Sequence, residues 1–366
     1  MKWALGFRAE GLGFGGALLH GWRYLAKQAV GADWPEEGVE DWLRAGPAVE
    51  RPAGAPTARL GFLGDLMWTR GRPLRVEPSV EGAFAGCDAL VGNLETPLDP
   101  WGAVPRRWPD QRRYNSAAGE LLVGFGGRLR AVSLANNHAL DRGPGGLART
   151  AEVLASAGVV AVGTVAAPVG RLRVGGLEIG LAAACWGLNT PGATAPVVVL
   201  PGLARARRGA EVGLEPAAVA ARALEGAALR VLLLHWGHEF ECWPSRAQVE
   251  VAERLVDMGW DLVIGSHPHV AQPVRGVHRP GRTPAWVAFS LGNAVSVMPG
   301  RRAGTGWLLP VDLWARPEGV VAVPGLPVGW ANGTDGSAHW LRGLRAAAPE
   351  GAPPLRRGPV TLAPRD

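Results

Sequence analysis

Two histidines one residue apart, His267 and His269, follow the apolar run Leu262-Val263-Ile264 in the string Gly265-Ser266-His267-Pro268-His269-Val270. A short buried strand that ends this way sends both imidazoles into one loop, where they can bind adjacent metal ions or one anionic ligand. The chain holds eight histidines in 366 residues, and five of them (His138, His235, His238, His267 and His269) fall in three strand-end segments. That clustering predicts a polar, metal-dependent, hydrolytic site. Two exposed imidazoles are seldom placed side by side for packing, so the His267/His269 pair favours chemistry over structure. Single residues decide less. Asp65 alone fits a turn or helix cap equally well, and Asn136-Asn137 could close an Asx-type turn beside a packed His138.

The elements that must position these residues follow a repeated syntax, a short apolar strand and then a polar cluster. Arg59–Leu63 leads to Gly64-Asp65, Ala89–Val91 to Gly92-Asn93-Leu94-Glu95, and Arg130–Leu134 to Asn136-Asn137-His138. Val231–Leu234 leads to His235-Trp236-Gly237-His238-Glu239, Leu262–Ile264 to the double-histidine loop, and Ala285–Phe289 to Leu291-Gly292-Asn293. Helical periodicity separates several of them, over Gly146–Ala157 and Gln248–Met258, each stopping at a glycine. Alternation of this kind implies an α/β architecture with its working residues at strand ends. Residues 46–57, rich in Pro, Gly and Ala, read as a linker behind a helix that carries Trp34, Val39 and Trp42 on one face. Beyond about residue 320 the chain is rich in Gly, Pro and Arg and reads as a loose extension. The resulting division is an N-terminal extension and linker (1–57), a main α/β domain (58–320) and a C-terminal extension (321–366).

Composition narrows the function classes. With 47% hydrophobic and 19% charged residues the chain is globular. Lysine occurs only at Lys2 and Lys27, so nearly all of the basic residues are arginine, whose planar group binds carboxylate or phosphate bidentately. A GC-rich coding bias explains the same composition more plainly. The net charge of +6 is compatible with an anionic small molecule or an acidic polymer. No basic run is interleaved with stacking aromatics, which argues against nucleic acid. Cys87, Cys185 and Cys242 form no CxxC pair, so neither a thiolate zinc site nor a disulfide framework is expected, and a reducing compartment fits best. Residues 3–26 look apolar but are broken by Arg8, Glu10, His20, Arg23 and Tyr24. They supply neither the roughly 20 apolar residues of a spanning helix nor the unbroken centre of a signal peptide. The expectation is a cytoplasmic protein without a transmembrane segment, with peripheral membrane association through an interfacial helix left open.

Six strings together carry a resemblance: Gly64-Asp65-Leu66-Met67, Gly92-Asn93-Leu94-Glu95-Thr96-Pro97-Leu98, Ala135-Asn136-Asn137-His138-Ala139-Leu140-Asp141, His235-Trp236-Gly237-His238-Glu239-Phe240, Gly265–Val270 and Ser290-Leu291-Gly292-Asn293. In this order they resemble the capsule-synthesis (CapA-type, poly-γ-glutamate biosynthesis) family of the calcineurin-like metallophosphoesterase superfamily, over roughly residues 58–300. The resemblance implies a four-layer sandwich of two central β-sheets flanked by helices. It implies one or two divalent ions held by Asp65, Glu95 as the bridging carboxylate, the Asn137 amide oxygen, His235, His267 and His269. His138 would act as acid or electrostatic stabiliser, with Glu239 and Asp141 as further catalytic groups particular to the CapA type. Met67 stands where a phosphoesterase carries a ligating histidine, which argues against a general phosphodiesterase. Arg70, Asn93 and Asn293 are candidate substrate contacts, and Asn293 is also expected to orient a loop through its side chain. Arg72, Arg106, Arg107, Arg112 and Arg113 are further candidate carboxylate binders.

The chemistry is coherent without the family. Two ions about 3.5–4 Å apart clamp an oxyanion and generate hydroxide near neutral pH. Ligands of the Asp/Glu, Asn and His types, without cysteine, favour Mn, Fe, Zn or Mg. A neighbouring acid, His138 or Glu239, would protonate the leaving group. The function expected is a metal-dependent hydrolase or transferase acting on an anionic ester, amide or polyglutamyl substrate. The alternative from another class is a non-catalytic accessory protein that keeps the fold and binds an acidic polymer or a synthase complex.

Overall fold

A computed structural model describes residues 35–47, 49–69, 71–98, 118–189, 196–203, 212–298, 300, 302–335 and 337–344. Two β-sheets lie face to face, with helices on their outer sides. In the first sheet β1 (Ala58–Leu66) runs parallel to β3 (Ala89–Leu94), which continues to β4 (Leu129–Ser133) and β5 (Val160–Val162). On the other side of β1 the chain adds β13 (Thr305–Arg316), β15 (Val328–Thr334) and β16 (His339–Gly343), each antiparallel to its predecessor, and then the edge strand β2 (Leu74–Val76). Two further strands attach off this path, β12 (Asn293–Val295) on β1 and β14 (Gly319–Pro324) on β13. The second sheet has the order β10 (Val274–Arg279), β11 (Arg282–Ala288), β9 (Leu262–Ser266), β8 (Leu229–His235), β7 (Leu177–Cys185), β6 (Val169–Val174). The expected pair of central sheets flanked by helices is the architecture found.

The apolar runs explain why both faces of the second sheet are covered. Along β8, Val231 and Leu233 point into the core shared with Leu60, Phe62 and Val91 of the first sheet. Leu232 and Leu234 point the other way, toward the helices that cover the outer face. A strand buried on both faces needs an unbroken apolar run, because its side chains alternate between two cores. In chain order the helices are α1 (Val39–Arg44), α2 (Pro78–Ala85), α3 (Ala118–Val123), α4 (Gly143–Ser156), α5 (Glu215–Ala223) and α6 (Arg246–Asp257). Helices α5 and α6 cover the second sheet, and α2 lies along β15 and β16 of the first. Helix α6 starts with a capping box: Ser245 accepts from the Gln248 backbone N–H while the Gln248 side chain accepts from the Ser245 N–H. Helix α4 carries a proline in its first turn and ends before Gly158, which adopts a φ of 70°.

The described parts of the two flanking segments, within residues 35–57 and 321–344, are more firmly built in than their composition suggests. Val39 and Trp42 of α1 dock on the outer side of the second sheet, with Trp42 edge-on to Phe289, under the Arg275 guanidinium, and donating to Glu253. Trp34 lies outside the described residues. The stretch expected as a linker runs along β13: Arg51 and Arg59 both pair with Asp312, Trp314 donates to the Gly54 carbonyl, and the Thr57 N–H to Leu313. The expected loose extension after residue 320 is corrected by β14, β15 and β16, which carry the chain inside the first sheet as far as Gly343. A hydrophobic-run criterion passes over β15 and β16 because glycine and polar residues interrupt their apolar ones, as antiparallel strands permit.

His339 shows how closely this end is packed. Its Nε2 donates to Asn332 Oδ1 at 2.9 Å, and its Nδ1 is buried without a partner. A second proton would have no acceptor, so burial, helped by the Arg72 charge, pushes the imidazole down to about 4. A histidine unfolds to a pKa near 6.5, so its stabilising effect is full above that value and is lost as pH falls toward 4. Between pH 7 and 5 this site should cost about 2 kcal/mol of unfolding free energy. Urea unfolding of wild type and His339→Gln at both pH values checks it, since parallel losses in the two proteins would show that His339 does not titrate there.

Candidate metal centre

The predicted strand ends converge at one end of the two-sheet core. From the first sheet come Asp65 on β1, Asn93 on β3, Glu95 just beyond it and the Asn136-Asn137-His138 turn after β4. From the second come His235 at the end of β8 and the His267–His269 loop after β9. Two glycines of the recognised strings let these strands approach. A Cβ on Gly64 would stand 1.9 Å from the Gly292 carbonyl oxygen, and one on Gly265 would stand 1.9 Å from that of Phe289. No side chain fits at either position. The double-histidine loop is held in an unusual conformation, with φ of 97° at His267 and 58° at His269, and Phe240 opposite it has a φ of 62°. Left-handed backbone at non-glycine residues costs on the order of 1–3 kcal/mol each and persists where the surroundings impose it.

Asp65 is fully buried and its two oxygens are shared out. Oδ1 accepts from Asn93 Nδ2 at 2.8 Å, and Oδ2 accepts from the His267 backbone N–H at 3.1 Å. His269 Nδ1 lies 3.3 Å from the same Oδ2 and donates to Asn293 Oδ1 at 2.9 Å. His235 turns its Nδ1 edge to Ser266 Oγ (3.0 Å) and Asn93 (3.2 Å), and its Nε2 edge to Asn137 Oδ1 (2.8 Å) and Glu95 Oε1 (3.6 Å). Glu95 is the exception to this satisfaction. It is 3% exposed, and neither carboxylate oxygen has a hydrogen-bond partner. His267 Nδ1 is likewise buried and unpartnered. Donor atoms of Asp65, Glu95 and His235 lie within 4.8 Å of one another, and so do those of Glu95, His267 and His269. Glu95 belongs to both groups.

The electrostatics follow from this crowding. Burial, and then the charges of Asp65, Glu239 and Asp141, hold the Glu95 carboxyl well above the usual carboxylate range. Burial and the neighbouring imidazoles push His235 and His267 well below the usual histidine value. For His269 burial acts in the same direction, but the hydrogen bond and charge of Asp65 prevail and its pKa rises. An oxygen and nitrogen donor set that is dry, partly unpartnered and rich in lone pairs fits a divalent cation.

His138 sits beside this group rather than in it. Its Nδ1 is 2.6 Å from Asp141 Oδ2, and its Nε2 is 4.0 Å from Glu95 Oε1. Glu239 is half-buried on the loop after β8, where its charge acts on both Glu95 and His269. Trp243, on the same loop, packs against the cluster of Phe240, Cys242, Val270 and Ala303. Two of the expected substrate contacts are engaged within the cluster. The side chains of Asn93 and Asn293 are buried and committed, Asn93 to Asp65, His235 and Asn136, Asn293 to His269 and the Ala303 carbonyl. These bonds brace Asp65, His235 and His269. Arg70, Arg106, Arg107, Arg112 and Arg113 lie outside the described residues, and Arg72 stands by His339 at the far edge of the first sheet.

The Asx turn offered for Asn136-Asn137 is present: Asn136 bonds the Leu94 carbonyl and accepts from the His138 N–H. Sequence reasoning missed two contributors. Ser266 backs His235, and Trp186, after β7, sets its ring 5.4 Å from that of His267. The adjacency of Ser266 to His267 was a usable signal, whereas Trp186 follows a strand whose end carries no titratable residue of the site.

The comparisons agree with the strings that compose this site. The model of the family described as bacterial capsule synthesis protein PGA_cap matches residues 59–298. The chain is similar to the PGA biosynthesis protein CapA of Bacillus subtilis (strain 168), 24% identical over 270 residues, covering 64% of this chain and 62% of that one. It is also similar to the "Probable polyglutamine synthesis accessory protein" of Mycobacterium tuberculosis (strain CDC 1551 / Oshkosh), 27% identical over 244 residues with the same coverage of 64% and 62%. The chain thus spans about 62% of the length of these curated relatives. Among solved structures it is similar to a hypothetical protein from Thermus thermophilus (TM-score 0.44, 17% identity, covering 75% of this chain and 99% of that one). A second is the calcineurin-like phosphoesterase YfkN from Bacillus subtilis (TM-score 0.39, 13% identity, covering 75% and 91%). The span matched by the family model takes in the whole cluster from Asp65 to Asn293, and the chain belongs to the bacterial capsule synthesis protein PGA_cap family.

Proposed function

We propose that the chain is a metal-dependent hydrolase or transferase of the CapA type, acting on an anionic ester, amide or poly-γ-glutamate-like substrate. Glu95 carries this reading. A buried carboxylate with two unpartnered oxygens, beside Asp65 and three imidazoles, is costly unless a cation joins it. Asp65, Glu95 and His235 would hold one ion and Glu95, His267 and His269 a second, with Asn137 Oδ1 at hand beside His235. A divalent ion bound there supplies a Lewis acid for a carbonyl or phosphoryl oxygen and makes bound water acidic.

The chain's own side chains supply the rest. Asp141 takes the Nδ1–H of His138, which leaves Nε2 on the side of Glu95 for proton transfer to or from substrate. Glu239, at the edge of the site, is the second proton-transfer group. Met67 offers neither oxygen nor nitrogen at the end of β1, which supports an acyl or γ-glutamyl substrate over a general phosphodiester. The names of the two relatives, which concern PGA biosynthesis and polyglutamine synthesis, support the same substrate class. Among the described residues no helix is long and apolar enough to cross a membrane. Residues 3–26, with their interrupted apolar pattern, lie outside that set.

Metal analysis of the purified protein should find about one or two equivalents of Mn, Fe, Zn or Mg, absent from a His267→Ala/His269→Ala variant. A wild-type protein that takes up none after reconstitution would overturn the enzyme reading in favour of a polymer-binding accessory. With metal present, cleavage of a γ-glutamyl polymer should far exceed that of a nitrophenyl phosphodiester. The reverse preference would point to a phosphodiesterase.

A separate expectation concerns stability. In chelator, Glu95→Gln should raise the unfolding free energy by about 1–3 kcal/mol, because it removes a desolvated acid next to Asp65. Urea unfolding in chelator measures this, and a loss of stability would mean that the Glu95 carboxylate is satisfied without metal.

A further inference from the structure

The turn Trp186-Gly187-Leu188-Asn189, which leaves the second sheet after β7, is tied at both ends to ligating residues of different sheets. At its start the Trp186 N–H donates to the His235 carbonyl at 3.0 Å, and the indole ring covers His267. At its end the Asn189 N–H donates to the Asn137 carbonyl at 3.0 Å. The exposed side chain of Asn189 then makes two contacts, accepting from Asn137 Nδ2 at 3.3 Å through Oδ1 and meeting His138 Nε2 at 3.4 Å through Nδ2.

Donor and acceptor roles propagate along this chain in one direction. The Asp141 carboxylate accepts from His138 Nδ1, so Nε2 of a neutral His138 is an acceptor and receives a hydrogen bond from the Asn189 amide nitrogen. That fixes the Asn189 oxygen toward Asn137, which must answer with its own NH2. The remaining end of Asn137, its carbonyl oxygen, then has to face His235 and the cluster, where it lies 2.8 Å from Nε2. With the amide reversed, Asn137 would aim an NH2 group at the imidazole and offer no lone pair to a cation.

We propose that Asn189 is a positioning residue of the metal centre, fixing the Asn137 amide with its oxygen toward the ligand cluster. The inference rests on the metal-binding reading above and adds to it a residue that touches no other member of the cluster. Removing an outer partner of a ligand weakens metal binding about 10- to 100-fold.

Titration of full-length, metal-stripped protein with Mn2+ alone tests it. Asn189→Leu should weaken Mn2+ binding at least about ten-fold, whereas Asn189→Asp, which still accepts from Asn137 Nδ2, should stay within about three-fold of wild type or bind more tightly. Both variants should keep the wild-type unfolding midpoint in chelator, since residue 189 is exposed. An Asn189→Leu protein that binds Mn2+ like wild type, or an Asn189→Asp protein as weak as Asn189→Leu, overturns the proposal and leaves the metal reading standing. A wild-type protein that binds no Mn2+ overturns both.

Discussion

The carboxylate of Asp65 has no exposed surface, yet it joins the two sheets. One oxygen takes a hydrogen bond from Asn93 on the neighbouring strand of its own sheet, and the other takes one from the His267 backbone across the core. A buried charge survives only when its surroundings supply donors in fixed places. The strand ends around Asp65 are therefore constrained together. Gly64 must lie against Gly292, the double-histidine loop must turn its amide inward, and Asn293 must hold His269 from behind. Glu95 stands a few ångströms away with no such donors, and this contrast between two neighbouring acids gives the site its chemical character.

That arrangement divides labour between the sheets. The first contributes mainly oxygen atoms, from Asp65, Glu95 and Asn137, and the second contributes imidazoles. Neither half assembles the cluster alone. The unusual backbone at Phe240, His267 and His269 falls where the second sheet's loops reach toward the first. Stored conformational energy is thus concentrated at the seam, where packing from both sides keeps the loops from relaxing.

Much of this was legible in the sequence for a physical reason. Parallel strands buried on both faces need unbroken apolar runs, and Val231–Leu234 and Leu262–Ile264 announce themselves against the polar residues that end them. The convergence of these residues could be read because histidines are rare and stand at those ends. The antiparallel strands were harder. In β15, Val328–Thr334, only Trp330 is fully covered, so no run appears, and the chain after residue 320 looked unstructured. Asn293 holds the double-histidine loop through its side chain, as expected, whereas Asn93 was harder to place because a buried amide that braces a neighbour and an exposed one that greets a substrate look alike in one dimension. The direction of a side chain depends on strand register, here Asp65 opposite both Asn93 and Asn293.

The pairing of β1 with β13 also has a consequence for how the protein is made. Ala58 lies opposite Leu313, so the central strand of the first sheet lacks one neighbour until some 250 further residues have been synthesised. At ribosomal speeds of roughly 5–20 residues per second, that wait is on the order of ten seconds or more. Asp65, on the same strand, gains Asn293 only near the end of that interval. Closure of the sheet is therefore a late event dominated by distant contacts, the kind that folds slowly and leaves strand edges open meanwhile. The nascent chain carries Asp65 and Glu95 well before the double-histidine loop exists, since His267 follows Asp65 by 202 residues.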